Sequence, residues 1–324
     1  MLDNDSIETS PSRQGALQDP EWQVLQKVVT ASLDEQRRSR RWGIFFKILT
    51  FSYLFILLLA LLPFGQMGMV PVHEEHVGLV SVDGLIAADA PANANTVVTG
   101  LREAFEAEKS RAVILAINSP GGSPVQAGYI NDEIKRLRAK HPDKKVYSVI
   151  SDLGASGGYY IAVAADEIYA DKASLVGSIG VISAGFGFAD VMEKVGVDRR
   201  AYTAGTSKAF LDPFSPEKEA DREFWQKVLA VTHQQFIDVV KRGRGDRLLD
   251  TPEVFSGLIW SGEQAVAQGL IDGLGSAGYV AREVIGVEDI VDYTVQQHPF
   301  EAFARRLGTQ FSIAFMNSMS PQLR

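Results

Sequence analysis

The sequence predicts an α/β protein, a largely parallel sheet with helical crossovers, carried behind one apolar helix. Three observations predict it. Segments of strand period and helix period alternate from His76 to about Lys241. The strand segments are apolar enough to be buried on both faces, as parallel strands are. Two glycine-rich turns, at 118–122 and 151–158, each follow a strand and open a helix, where open α/β sheets form their binding crevice.

Each element has its own signature. Residues 1–41 mix charges of both signs with Ser, Pro and Gln and read as a tail, partly disordered, with a short helix over Glu21–Glu35. Trp42 to Leu62 is apolar apart from Lys47, and about 20 helical residues span a ~30 Å hydrocarbon core. A transmembrane helix is expected over 42–64, with a connector over 65–75. A cleaved signal peptide fits poorly, because 41 residues precede the run. Arg37, Arg38, Arg40, Arg41 and Lys47 lie on one side and Glu74 and Glu75 on the other, so the positive-inside rule puts the N-terminus in the cytoplasm. In a bacterium the rest would lie outside the inner membrane.

Beyond the connector, strands are expected at Val77–Val82, Ala112–Ile117, Lys145–Ile150, Glu167–Ala170, Ile179–Ile182 and Arg199–Thr203. Helices are expected at Thr96–Lys109, from Ser123-Pro124 (serine cap, proline in the first turn), at Gly157–Ala165, Phe188–Val195 and Pro216–Lys241. The segment 76–299 forms one domain. Phe303, Leu307, Phe311 and Phe315 recur every four residues, which predicts a C-terminal helix within 300–324.

Composition narrows the chemistry. Of 324 residues 46% are apolar and 22% charged, ordinary globular usage. The net charge of -8 argues against a dedicated nucleic-acid binder. The absence of cysteine removes thiolate metal sites, iron–sulfur clusters and cysteine nucleophiles. No two of the five histidines have the four-residue spacing of a helical H-x-x-x-H site, so no metal site is expected.

Ser156 sits among Gly154, Gly157 and Gly158, where a helix begins. A serine there faces unpaired backbone N–H groups that could hold an oxyanion. Gly157 N–H is the natural first donor, and Gly121 and Gly122 would let a second backbone approach. The plain alternative is a serine N-cap in a tight turn. Gly154–Gly158 also fits the nucleophile-elbow pattern G-x-S-x-G, but neither His233 nor His298 lies in a loop after a strand, where the partner histidine belongs. The other known base is a lysine stripped of water. Lys172, Lys194 and Lys218 sit among charges, whereas Lys208 precedes Ala209, Phe210 and Leu211 and is the best candidate. Ser178, in Gly177-Ser-Ile-Gly180, could orient a lysine or simply close a turn.

With these residues in view, the sequence resembles the signal peptide peptidase A family of membrane-bound serine–lysine peptidases, in its short single-domain form. The matching blocks are Asn-Ser-Pro-Gly-Gly at 118–122, Gly-Ala-Ser-Gly-Gly-Tyr-Tyr-Ile at 154–161, Gly-Ser-Ile-Gly-Val at 177–181, and a lysine 52 residues beyond the serine. The resemblance runs from about Val77 to Val291. It implies a Clp protease/crotonase-like ββα superhelix. It implies Ser156 as nucleophile, Lys208 as general base, Ser178 as the lysine's hydrogen-bond partner, and an oxyanion hole from Gly157 and from Gly122 or its neighbour Gly121. It also implies a homo-oligomeric ring, no cofactor or metal, and substrates such as cleaved signal peptides and other small hydrophobic or unfolded peptides. The long polar tail departs from the pattern. A stomatin-type membrane-protein peptidase, a crotonase-fold acyl-CoA enzyme and a membrane scaffold without chemistry are the competing readings.

Overall fold

A computed structural model describes residues 20–61 and 74–295. The expected connector, apart from residues 74 and 75, and the expected C-terminal helix lie outside the described residues, as does His298. The chain divides into two units, residues 1–72 and 73–324.

In the first unit, α1 (Pro20–Leu61) is one unbroken helix of 42 residues. At 1.5 Å per residue it is about 63 Å long, twice a hydrocarbon core. Lys27–Leu58 is long and apolar enough to cross a membrane, and its most apolar window has no residue buried within the protein. The rings of Trp42, Phe45 and Phe46 cluster with centroids 5.7–5.8 Å apart. They follow directly on the arginines at 37, 38, 40 and 41, where aromatic and basic side chains suit a membrane boundary.

The second unit begins with β1 (His76–Asp83), α2 (Ala94–Glu106), β2 (Ser110–Ser119), α3 (Pro124–Lys140), β3 (Val146–Ala155) and α4 (Gly157–Ala162). It continues with β4 (Glu167–Ala170), β5 (Leu175–Gly177), α5 (Ala189–Lys194), α6 (Glu219–Arg244), β6 (Ile259–Ser261), α7 (Gly262–Ala267), β7 (Gly273–Leu274), α8 (Ala277–Tyr279) and β8 (Ile290–Asp292). The sheet order is β6-β5-β3-β2-β1-β8, with β4 and β7 branching from β3. All pairings are parallel except β5 with β6. The predicted α/β class is the observed one.

Local chemistry explains the elements. Asn93 caps α2, its Oδ1 accepting from Thr96 N at 3.0 Å. Ser123 caps α3 with Pro124 in its first turn. Alternation along β2 sends Val113, Leu115 and Ile117 into the main core, packed with α2, α3 and α4, and Ala112 and Ile114 into a second core with Val77, Val149 and Val280. Burial on both faces makes this strand the continuous apolar run seen in the sequence.

Two features set up the site. Strand β3 forks: Tyr147–Ile150 pairs with β4, and Leu153–Ala155 pairs with β5. The residue after the fork, Ser156, therefore emerges between the ends of β2 and β5. The far end of α6 is locked to β4. Arg244, 2% exposed, makes a bidentate pair with Asp272 at 2.7 and 2.9 Å, and Asp272 also accepts from Ile168 N at 2.7 Å.

Two expected strands are not strands. Ile179–Ile182 gives way to β5 four residues earlier, because Ser178 adopts φ +51° and turns the chain off the sheet edge. Arg199–Thr203 is irregular chain with no strand partner among the described residues. Helix α6 has its fully buried residues in its C-terminal half: Phe236, Val239 and Val240 are buried, while Phe224 is 59% exposed.

Candidate active site

The turn between β3 and α4 holds Ser156 at φ +52°, ψ -120°, a conformation L-residues rarely adopt. Its N–H donates to Gly177 O at 2.8 Å, which fixes the turn to the end of β5. Its side chain makes no capping hydrogen bond to α4. The side chain therefore does not serve as an N-cap, and the half-buried hydroxyl has no hydrogen-bond partner among the described residues.

The Asn118–Gly122 turn closes over it. A Cβ on Gly121 would fall 2.6 Å from Gly157 N and 2.7 Å from Ser156 Cβ. One on Gly122 would fall 2.2 Å from Ile86 O. With φ of +95° and +147°, these two positions require glycine on both counts. The position of a Cβ on Gly157 is 3.3 Å from Gly122 N, so the two amides are neighbours. Among the described residues, no acceptor takes the N–H of Gly157 or of Gly122. Two free amides beside a free hydroxyl, at the N-terminus of a helix, form an anion-holding arrangement.

Ser178 lies alongside. Ala155 pairs with Gly177 in register, so Ser156 and Ser178 are the next residues on neighbouring strands, at φ +52° and +51°. The Ser178 N–H donates to Leu258 O at 2.8 Å, and its hydroxyl has no partner among the described residues. His233 holds this turn: its Nε2 donates to Ile179 O at 3.0 Å. Sequence periodicity put His233 on a helix but gave no sign of that contact, which depends on where α6 lands.

Lys208 is exposed, in a run of bends and turns over 204–211, and no hydrogen bond joins it to Ser156 among the described residues. The segment around it exposes Ile182 at 87%, Phe186 at 82% and Tyr202 at 92%. Two other lysines are partly stripped of water. Burial lowers the pKa of Lys144, and its ammonium donates to Phe105 O and Ala107 O at 2.7 and 2.9 Å. It lies two residues before β3, at the opposite end of the strand from Ser156. Burial likewise lowers Lys135, on α3. A cavity of about 460 Å³ lined by Ser151, Asp152, Asp171 and Ser174 does not include Ser156. Among the described residues no group of three metal-ligating side chains occurs.

A serine at a strained strand–helix turn, beside two backbone amides on a parallel α/β sheet, is an arrangement able to hold a developing oxyanion. Comparison with known proteins gives the family. The model of peptidase family S49 matches residues 138–286. A Synechocystis protein named as a candidate protease is 31% identical over 203 residues, 63% of this chain and 71% of that one. A candidate signal peptide peptidase SppA of Enterococcus faecium is 30% identical over 227 residues, 68% of this chain and 65% of that one. A Brucella melitensis protein named as a Na(+)/H(+) antiporter NhaA is 50% identical over 186 residues, 57% of this chain. This chain spans only 25% of that protein's length. The chain belongs to peptidase family S49, and with it to the Clp protease-like α/β fold expected from the motifs.

Proposed function

We propose that the chain is a membrane-anchored serine endopeptidase with a Ser156–Lys208 dyad. The observation that carries the reading is the free Ser156 hydroxyl at φ +52° beside the unpaired amides of Gly157 and Gly122. Ser156 Oγ attacks the scissile carbonyl carbon, and its proton passes to neutral Lys208 Nζ. The carbonyl oxygen becomes an oxyanion held by the Gly157 and Gly122 N–H groups, with Gly121 shaping the approach. Collapse breaks the C–N bond, and Lys208 returns the proton to the leaving amine. Water, deprotonated by Lys208, then hydrolyses the acyl-serine ester. Ser178 hydrogen-bonds the lysine and orients it. No cofactor or metal enters these steps.

In one chain Lys208 stands in water, and a lysine base needs desolvation. The reading therefore includes self-assembly. A neighbouring copy covers the apolar 180–215 segment, strips water from Lys208 and brings it to a Ser156. The uncovered Ile182, Phe186 and Tyr202 support this. The span within Lys27–Leu58 supports a single-pass anchor, and the arginines at 37, 38, 40 and 41 support a cytoplasmic N-terminus with the peptidase domain outside a bacterial inner membrane. Cleaved signal peptides and other small hydrophobic or unfolded peptides are the proposed substrates. The name of the E. faecium relative and the apolar anchor support that choice.

The test uses the full chain in detergent and a mixed peptide library read by mass spectrometry. Wild type should release fragments, and Ser156→Ala and Lys208→Ala should not. Full turnover in either variant removes that residue from the mechanism.

A further inference from the structure

Ser119 belongs to the Asn118–Gly122 turn, yet neither the attack nor the proton transfer uses it. Its side chain is fully buried. Its Oγ donates to Gly84 O at 2.6 Å and accepts from Gly121 N at 3.1 Å. Its backbone pairs with Gly154 on β3, across an irregularity that follows Ile117. A Cβ on Gly158 would fall 3.0 Å from Ser119 O and 3.3 Å from Ser119 Cβ, so the first turn of α4 rests directly on this residue. Ser119 thus touches the chain just past β1, the turn that carries Gly122, the strand leading into Ser156, and the helix that begins at Gly157.

We propose that Ser119 is a positioning residue for the oxyanion site, its hydroxyl holding the Gly121–Gly122 turn so that the Gly122 amide converges with that of Gly157. The inference rests on the peptidase reading above. Its physical basis is the freedom of the turn itself. Two successive glycines at positive φ have no Cβ to confine them. Their conformation is set by what grips them from outside. Ile86 N–H holds the carbonyl of Gly121 at 2.9 Å, which aims the N–H of the same peptide plane, that of Gly122, away from Ile86. Ser119 Oγ holds the N–H of Gly121, which fixes the preceding plane. The Ile86 grip is backbone to backbone, so Ser119 supplies the side-chain tether. A buried hydroxyl that both donates and accepts can be replaced by few side chains without leaving Gly84 O or Gly121 N unpaired.

The test compares wild type, Ser119→Ala and Ser119→Thr in the full detergent-solubilised chain, with Ser156→Ala as the blank. Loss of a positioned oxyanion donor lowers kcat by about 10²–10³. Loosening one should lower it by about tenfold to a hundredfold in Ser119→Ala, with KM within about twofold. Ser119→Thr keeps the hydroxyl and should hold kcat within about fivefold of wild type. Amide exchange at Gly121 should accelerate in Ser119→Ala and not in Ser119→Thr, a readout independent of turnover. Should Ser119→Ala fail to fold, Ser119→Cys takes its place, keeping the volume while weakening both hydrogen bonds. Unchanged kcat in the alanine variant, or equal losses in alanine and threonine variants, overturns the inference while leaving the peptidase reading intact. A wild type without Ser156-dependent turnover overturns both.

Discussion

The two halves of the proposed dyad sit in contrasting surroundings. The segment that presents Ser156 is closed on every side: β3 is paired with β2, β4 and β5, α4 rests on Ser119, and Tyr159, fully buried, donates its hydroxyl to Leu270 O at 2.7 Å. The segment that presents Lys208 has one six-residue helix with no buried residue, and apolar side chains facing water. In one copy of the chain the Ser156 turn and the Gly157 and Gly122 amides are set by packed backbone, whereas Lys208 is exposed. The contrast teaches that the proposed dyad joins a turn the chain itself fixes to a segment that a second surface would have to cover.

The largest expected effect tests whether the halves belong together. Ser156→Ala and Lys208→Ala should each lower kcat by about 10³-fold or more, with unchanged thermal unfolding, since neither side chain is buried in the core. Mixed and reassembled, the two inactive variants should regain a fraction of wild-type turnover, because some sites then pair an intact serine with an intact lysine. No recovery on mixing would confine the dyad to a single chain.

Next, Gly121→Ala attacks the closed half. Its Cβ has no room against Gly157 N and Ser156 Cβ, and φ is +95°. Turnover should fall by about 10²-fold, since the turn must move away from the serine. A variant as active as wild type would show that this close approach is dispensable.

Asp272→Asn probes what keeps the closed half rigid. Burial pushes the Asp272 carboxyl up, but the hydrogen bond and charge of Arg244, helped by Ile168 N–H and Arg247, prevail and hold its pKa below the usual value. A depressed folded-state pKa contributes stability above the unfolded pKa of about 4, lost as pH falls through the folded value. The asparagine variant should be less stable by about 3 kcal/mol at pH 7, by denaturant titration, and should lose less stability than wild type on acidification below about pH 4. Parallel acid profiles would exclude Asp272 from this role.

The smallest effect on stability is expected in the open half. Phe186→Ser should change domain stability by less than about 0.5 kcal/mol, because 82% of the side chain is already exposed. It should nonetheless weaken self-association, measured by sedimentation in detergent. An unchanged assembly would show that Phe186 lies outside the contact.

The same contrast decided what could be read from the sequence. Strand β4 was legible to the residue, and β1, β2 and β3 to within a few residues at most ends, because each carries its pairing partners and both of its cores within the chain. The Ser156 turn was legible because glycine spacing reports backbone conformation directly. The strands expected at Ile179–Ile182 and Arg199–Thr203 were not realised, since β-branched residues favour a strand only where an edge is available to pair. The short strands β6, β7 and β8 escaped notice because two or three residues give no period to detect. Ser119 was visible within its motif, but its role depends on Gly84 and Gly121 meeting it in space. Lys208 was chosen for its apolar neighbours; Ala209 and Phe210 are half-buried, but Lys208 itself is exposed in the single chain.

The most direct test of the account is labelling by a fluorophosphonate followed by peptide mapping. Wild type should carry the adduct on Ser156, Lys208→Ala should label far more slowly, and Ser156→Ala should remain unlabelled. An adduct on another serine, or full-rate labelling of Ser156 without Lys208, would contradict the proposed activation of this hydroxyl.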